Sequence, residues 1–230
     1  ELSRIARSVS VPGRTVMVKG LPARYPQGAE KVLIQACTGR KVPAGGLPAD
    51  VGCVVMNVTS VAVLARYLKT GMPLITKRMT VDGSAVAHPQ NIRVTIGTPI
   101  REVLAFAGGI RAPVRKLLMG GPMMGTCVAD LSQPILKNNN AVLAFSEKLA
   151  RLPKKTNCIH CGRCVNACPL GLAAKDIVKA YDNGNVELLQ ELNADLCMSC
   201  GTCSFVCPAK RPLAPSIALA KIMMKNGGKK

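Results

Sequence analysis

The chain has 230 residues and a formal net charge of +19, with no tryptophan, three tyrosines and three phenylalanines. That length accommodates one large domain or two to three small ones. Scarce aromatic side chains, together with the lack of helix-turn-helix, RRM or zinc-finger patterns, argue against a nucleic-acid-binding protein. The positive charge instead favours docking to an acidic protein or to an anionic membrane surface. No apolar run reaches eighteen residues, so the sequence predicts no membrane-spanning helix.

Short strands and helices are predicted to alternate near the N-terminus. Apolar residues predict buried strands at Val16–Val18 and Cys53–Val55. Helices are predicted at Glu30–Ala36 and Ser60–Thr70, each ended by a nearby glycine. Between them, residues 42–52 contain three glycines and two prolines. This composition indicates an ordered loop that wraps a ligand or another domain, or else a plain surface connection.

The middle of the chain predicts a small sheet with one helix. Alternating β-type residues mark strands at Lys77–Val86 and Asn91–Ile96, and shorter apolar runs mark strands at Lys116–Met119 and Val142–Phe145. The intervening helix is predicted to begin at a cap residue, Thr98. Its predicted apolar face consists of Ile100, Val103, Leu104 and Phe106. Two strands, a helix and further strands are typical of a β-grasp-like unit.

Eight of the eleven cysteines form two copies of one pattern, C-x-x-C-x-x-C-x-x-x-C followed by proline. The first run contains Cys158, Cys161, Cys164 and Cys168, and the second contains Cys197, Cys200, Cys203 and Cys207. This spacing is the two-cluster ferredoxin signature, in which the fourth cysteine of each run binds the other 4Fe–4S cluster. We therefore predict one cluster on Cys158, Cys161, Cys164 and Cys207, and a second on Cys197, Cys200, Cys203 and Cys168.

Zinc and disulfide bonds are the alternatives for these cysteines. Structural zinc usually takes two close cysteine pairs that are distant in sequence. Disulfides require an oxidising compartment, and no signal-peptide pattern is present. His160 lies between two of the cysteines, and we interpret it as a spacer that tunes the cluster rather than as a ligand. Two helices, at Ala173–Tyr181 and Val186–Asn193, are predicted to separate the cysteine runs.

Further motifs occur along most of the chain. They are Tyr25-Pro-Gln-Gly-Ala-Glu30-Lys31, Gly45-Gly-Leu-Pro-Ala-Asp-Val-Gly-Cys-Val-Val-Met-Asn57, Met119-Gly-Gly-Pro-Met-Met-Gly125 and Cys207-Pro-Ala-Lys-Arg-Pro-Leu213. Together with the first cysteine run, they resemble the RnfC family of Rnf electron transport complexes. The resemblance implies an electron-transfer subunit of a membrane-bound, ion-translocating ferredoxin:NAD oxidoreductase. It also implies a peripheral position on the cytoplasmic face of the membrane, with other Rnf membrane subunits and ferredoxin-like subunits as partners.

The family is in turn similar to the flavin-bearing, NADH-oxidising subunit of respiratory complex I. That likeness implies an FMN site formed by Tyr25, Gly28, Glu30, Asn57 and Ser60. Met56 replaces an asparagine of that relative. The glycine-rich flavin and nicotinamide loop of the family has no counterpart here, and the chain begins at Glu1. We therefore expect a fragment whose upstream region carries the NAD(H) contacts and the rest of the flavin site.

The implied fold class is α+β with several domains. Residues 1–74 are expected to form the end of an α/β domain that binds FMN and NADH. Residues 75–145 are expected to form a soluble-ligand-binding β-grasp (SLBB) domain, and residues 146–230 a helical domain with two 4Fe–4S clusters. No side chain is expected to act as nucleophile or general base. The alternatives are a soluble flavin and iron–sulfur cobalamin reductase of the same family, and an electron-wiring module without a catalytic centre.

Overall fold

The structure, a computed structural model, describes residues 1–227 and contains two compact units. The first unit is Glu1–Met56, and the second begins at Asn57. Among the described residues, no helix combines the length and apolarity that a bilayer span requires.

The first unit contains two helices, α1 (Leu2–Val9) and α2 (Glu30–Thr38). Helix α2 extends two residues beyond its predicted end because Gly39, at φ 75°, supplies the left-handed cap that closes it. Its only buried residue is Ile34. Such a helix draws little stability from packing within this unit, since helical stability in proteins comes mainly from a buried apolar face.

Polar contacts fix the loop at residues 42–52, which contains three glycines and two prolines. The Asp50 carboxylate accepts a hydrogen bond from the Leu47 N–H at 2.8 Å. The Arg40 guanidinium donates to the Val51 carbonyl at 2.7 Å. A 3-10 turn at Pro48–Val51 lies between these contacts. The segment is therefore an ordered loop, as the sequence predicted.

Neither strand predicted for this unit forms. The structure assigns no strand to residues 16–18 or 53–55, and Met17 and Val54 are 83% and 85% exposed. Both predictions were wrong. A short apolar run becomes a strand only where neighbouring strands supply hydrogen bonds, and the described part of this unit contains no sheet.

The second unit opens with α3 (Val58–Thr70) and continues into a five-stranded mixed sheet. The strands are β1 (Thr76–Asp82), β2 (Gln90–Thr95), β3 (Lys116–Met119), β4 (Thr126–Cys127) and β5 (Ala141–Phe145). Their order is β2-β1-β5-β3-β4, with β1 and β5 parallel and the other pairs antiparallel. A parallel central pair requires a crossover connection, and helix α4 (Ile100–Phe106) lies within it. The predicted β-grasp unit is confirmed.

Helix α4 supplies the core that covers this sheet. Ile100, Val103 and Leu104 are buried and pack in one cluster with residues of β1, β2 and β5. Two details of the prediction were wrong. Pro99 rather than Thr98 occupies the cap position, and Phe106 is 71% exposed. Phe106 is the last residue of a two-turn helix, so its side chain projects beyond the covered face.

The remaining helices surround the two cysteine runs. They are α5 (Glu147–Ala150), α6 (Arg163–Asn166), α7 (Ala174–Asp182), α8 (Val186–Glu191), α9 (Thr202–Phe205) and α10 (Leu213–Lys225). The two predicted spacer helices are α7 and α8, and α7 packs against α10. Ile177, Leu189, Ile217 and Met223 are at most 2% exposed and form the centre of this helical core. The loops that contain the cysteines are thus held by a packed helical core.

Candidate metal centre

Two cavities in the helical segment collect the eight cysteines in sets of four. The first cavity is lined by Cys158, Cys161, Cys164 and Cys207. The second is lined by Cys168, Cys197, Cys200 and Cys203. Their volumes are about 360 and 380 Å³, counting the space open to solvent. Each cavity therefore contains three cysteines of one run and the last cysteine of the other run.

The two cysteine loops repeat one backbone path. Gly162 and Gly201 adopt left-handed backbone (φ 72° and 84°) immediately before the short helices α6 and α9. His160 and Ser199, at equivalent positions of the two runs, also have positive φ values of 55° and 54°. Left-handed backbone is uncommon for residues other than glycine and costs them roughly 1–2 kcal/mol. These turns direct the first three cysteines of each run toward one cavity.

The backbone role of His160 and Ser199 was missed by sequence reasoning. The signal that could have found it is the repeat itself, since both residues stand directly before the second cysteine of their run. His160 lines the first cavity and its side chain is exposed. Its predicted role in tuning a cluster stays a prediction.

Burial raises the pKa of two of these thiols, Cys197 and Cys203, when no metal is bound. Burial is the main reason that the pKa of Cys203 is raised to about 11; the neighbouring Cys197 and Cys200 contribute in the same direction, and a hydrogen bond from the Ser204 N–H partly offsets the rise. Burial also raises the pKa of Cys197, partly offset by the Ser199 N–H, which donates to the Cys197 sulfur at 3.4 Å, and by the charge of Lys221. Because thiolate is the form that binds metal, metal binding must displace the protons of these thiols.

The donor sets fit iron–sulfur clusters. Each cavity offers four sulfur donors and mainly apolar walls, and soft thiolate ligands select zinc, copper(I) or iron–sulfur clusters among biological metals. All eleven cysteines lie within residues 1–227, and the structure forms no disulfide among them. Within the same range, no three cysteine, histidine or acidic side chains close on a single metal ion.

The second cavity adjoins the β-grasp segment. A β-carbon added at Gly201 would lie 2.9 Å from the carbonyl oxygen of Met123, which belongs to the turn between β3 and β4. At the equivalent Gly162 of the first run, an added β-carbon would meet nothing within 4 Å. The first cavity is the more open one at its rim, where Cys161 and Ile159 are exposed.

The five predicted flavin residues fall in two different units. Tyr25, Gly28 and Glu30 are residues of the first unit, and a β-carbon at Gly28 would meet nothing within 4 Å. Within the same stretch, the buried amide nitrogen of Gln27 has no hydrogen-bond partner among the described residues. A stretch with an open glycine and an unused donor suits a ligand such as FMN.

Asn57 and Ser60 begin the second unit. The Asn57 side chain accepts a hydrogen bond from the Thr59 N–H at 2.8 Å and so caps α3. This capping role was not predicted, although asparagine directly before a helix is a common N-cap. Ser60 is exposed in the first turn of α3. The flavin contacts of these residues stay predictions.

Comparison with known proteins finds three matching domain families and several similar proteins. Residues 2–66 match the Nuo51 FMN-binding domain, residues 78–126 the SLBB domain and residues 157–210 the 4Fe-4S dicluster domain. The chain is 45% identical over 160 residues to the C subunit of the proton-translocating ferredoxin:NAD(+) oxidoreductase complex of Clostridium ljungdahlii. It is 42% identical over 204 residues to the C subunit of the Na(+)-translocating complex of Acetobacterium woodii. Over the aligned segments, this chain is therefore homologous to RnfC proteins.

The alignments to these two proteins cover 70% and 89% of this chain but only 35% and 46% of the relatives. The C subunit of an ion-translocating oxidoreductase complex of Pseudomonas aeruginosa is 42% identical over 169 residues, which are 71% of this chain and 21% of the relative. The chain thus spans a fifth to about half of the length of the RnfC proteins it matches.

These matches confirm the predicted resemblance to the RnfC family and the α+β, multidomain fold class. The matched domains also confirm the predicted cofactor classes, FMN and two 4Fe–4S clusters, for the segments in question. Both cysteine runs lie inside the dicluster match, and Tyr25, Gly28, Glu30, Asn57 and Ser60 lie inside the FMN-binding match.

Proposed function

We propose that this chain is an electron-transfer segment of an ion-translocating ferredoxin:NAD oxidoreductase complex. It passes electrons between flavin and NAD(H) on one side and the membrane subunits on the other. The observation that carries this proposal is the pair of neighbouring cavities, each lined by three cysteines of one run and the last cysteine of the other. The names of the relatives favour this interpretation over the cobalamin reductase alternative.

The proposed ligands are the two cavity sets. Cys158, Cys161, Cys164 and Cys207 hold one cluster, and Cys168, Cys197, Cys200 and Cys203 hold the other. When bound, a 4Fe–4S cluster supplies one-electron redox chemistry, with a potential set by its surroundings. The chain itself contributes apolar walls that exclude water and backbone donors to the ligand sulfurs, such as the Ser199 N–H toward Cys197. The Tyr25–Glu30 stretch contributes to the FMN site, together with Asn57 and Ser60.

We propose the same division into domains that was expected from the sequence. Residues 1–74 are the end of the FMN-binding domain, residues 75–145 the SLBB domain and residues 146–230 the two-cluster domain. In the complex, the segment lies peripherally on the cytoplasmic face beside other Rnf proteins, and NAD(H) is the nucleotide partner of the complex. No nucleic acid is expected as a partner.

Metal content tests this proposal directly. Anaerobically reconstituted protein should bind about eight irons, and dithionite reduction should give EPR signals of two interacting 4Fe–4S clusters. Two clusters are expected because the four sulfur donors of each cavity complete one set of ligands. Protein that binds two zinc ions under the same conditions, or that stays EPR-silent with iron loaded, would rule out this assignment.

A basic, partly apolar groove beside the first cavity supports an acidic redox partner. Arg163, Phe205 and Lys210 line this open groove, which also includes Cys207 and Pro208. Phe205 is 73% exposed, and both basic side chains are exposed. Exposed charge of one sign around an apolar contact steers association with a partner of opposite charge.

Salt should slow electron exchange through this groove. With a small acidic ferredoxin as probe, the bimolecular rate of oxidation of the reduced chain should fall several-fold between about 50 and 500 mM salt, because salt screens exposed charges. Lys210→Gln should lower the low-salt rate, whereas Arg101→Gln, an exposed arginine on α4, should leave it unchanged. Rates that are independent of salt in stopped-flow measurements would show that the partner docks elsewhere.

A further inference from the structure

A cavity outside the metal centre lies between α3 and the outer face of the sheet. Its walls come from one side of α3 and from the segment that leads into β1. Thr59, Ala62, Val63 and Arg66 follow the spacing that places residues on one helix face. Arg78 of β1 and Arg93 of β2 complete the lining. The volume is about 910 Å³, counting the space open to solvent.

Two of these arginines stand directly opposite each other. Arg78 and Arg93 are cross-strand partners in the antiparallel β1–β2 pair. Like charges at such positions destabilise a sheet. Thr80 and Asn91 form a nearby cross-strand pair on the same two strands. The Thr80 hydroxyl donates a hydrogen bond to the Asn91 side chain at 2.8 Å, so these two polar side chains bind each other within the sheet. The repulsion between Arg78 and Arg93, in contrast, destabilises the sheet locally, and no ion pair among the described residues offsets it.

No acidic side chain balances these charges. The cavity lining contains three arginines, Arg66, Arg78 and Arg93, and no aspartate or glutamate. Across residues 1–227, none of these guanidinium groups takes part in an ion pair or a side-chain hydrogen bond. All three residues are exposed, so their donors remain available to a ligand.

The rest of the lining is mostly apolar. Met72, Pro73, Leu74 and Ile75 form one wall, and two hydroxyls, from Thr59 and Thr76, add further polar contacts. Ligand sites commonly combine apolar walls with a few convergent polar groups. Guanidinium groups match the oxygens of phosphate in pairs of parallel hydrogen bonds. A ligand with an apolar body and a phosphate group would use both parts of this lining.

We propose that this cavity is a binding site for a soluble organic phosphate. The phosphate contacts Arg78 and Arg93 on the sheet and Arg66 on α3, and the apolar body lies against residues 72–75. Binding would relieve the repulsion between Arg78 and Arg93. The site uses none of the proposed cluster ligands and none of the proposed flavin residues.

Calorimetric titration of the cluster-loaded chain with phenyl phosphate tests this proposal. One saturable site is expected, with weaker binding of inorganic phosphate, which lacks the apolar body. Arg78→Gln and Arg93→Gln should each weaken phenyl phosphate binding about tenfold or more, as expected for loss of a charge-assisted hydrogen bond. Arg101→Gln removes the same charge outside the cavity and should change binding less than about twofold.

Stability separates a binding role from a structural one. Without ligand, Arg78→Gln should melt at the temperature of the unmodified protein or higher, because it removes a like-charge pair. Arg66→Gln removes the third arginine of the cavity. Because Arg66 lies on α3, this variant leaves the sheet intact. Three results would overturn the proposal: no saturable binding of phenyl phosphate up to about 10 mM, equal weakening by Arg101→Gln, or binding only to phosphatidylcholine vesicles that contain phosphatidylglycerol.

Discussion

Replacing Cys207 by alanine should remove the cluster from the cavity that contains Cys158, Cys161 and Cys164, and should spare the other cluster. The bound iron should fall from about eight toward about four atoms per chain. The reason is the crossed composition of the cavities, in which Cys207 lies with the three leading cysteines of the first run. A cluster left with three protein ligands loses one of the bonds that hold it.

Alkylation identifies which cluster is lost. After Cys207→Ala, iodoacetamide should label Cys158, Cys161 and Cys164 under native conditions, as read by mass spectrometry, while Cys197, Cys200 and Cys203 stay protected. Cys168→Ala should give the reverse pattern. Cys127→Ser is the matched control, because Cys127 is exposed and lies outside both cavities. Labelling of Cys197, Cys200 and Cys203 in the Cys207→Ala protein would show that each run holds its own cluster.

The cysteine sets were predictable because short-range spacing determines them. Three cysteines at two-residue intervals can wrap only one compact centre, and the proline after the fourth cysteine ends that loop. The structure places the eight cysteines in the same two sets of four that the spacing predicted. The β-grasp unit was predictable for a similar reason, since alternation along β1 and β2 reports which face is buried, and short apolar runs mark the buried strands β3 and β5.

Features that depend on distant neighbours were not predictable. Residues 16–18 and 53–55 have strand-like composition but form no strand, because a strand requires a hydrogen-bonded partner. The pairing of Arg78 with Arg93 follows from the register of β1 and β2, and a shift of one residue would place either side chain on the opposite face. Asn57 was predicted only as a flavin residue, whereas its side chain also caps α3.

Gly201→Ala should destabilise the cluster-loaded protein more than the equivalent change Gly162→Ala. Both glycines have left-handed backbone directly before a short helix, so alanine costs each about 1–2 kcal/mol. Only at Gly201 would the new β-carbon also lie 2.9 Å from the Met123 carbonyl oxygen. Overpacking of this kind adds about 1–3 kcal/mol. Thermal unfolding should therefore show a distinctly lower midpoint for Gly201→Ala, and the EPR signal of the second cluster should broaden.

The contact that causes this difference can be tested separately. Hydrogen exchange in residues 120–125 should accelerate in Gly201→Ala and stay unchanged in Gly162→Ala, since only Gly201 lies against that turn. The blocking atom belongs to the main chain, while the nearest side-chain atom of Met123 lies farther away, at 3.5 Å. Adding Met123→Ala should consequently fail to restore the stability of Gly201→Ala. If the two glycine variants unfold at the same temperature, backbone strain alone accounts for the effect. The second cysteine loop then does not depend on its contact with the sheet domain.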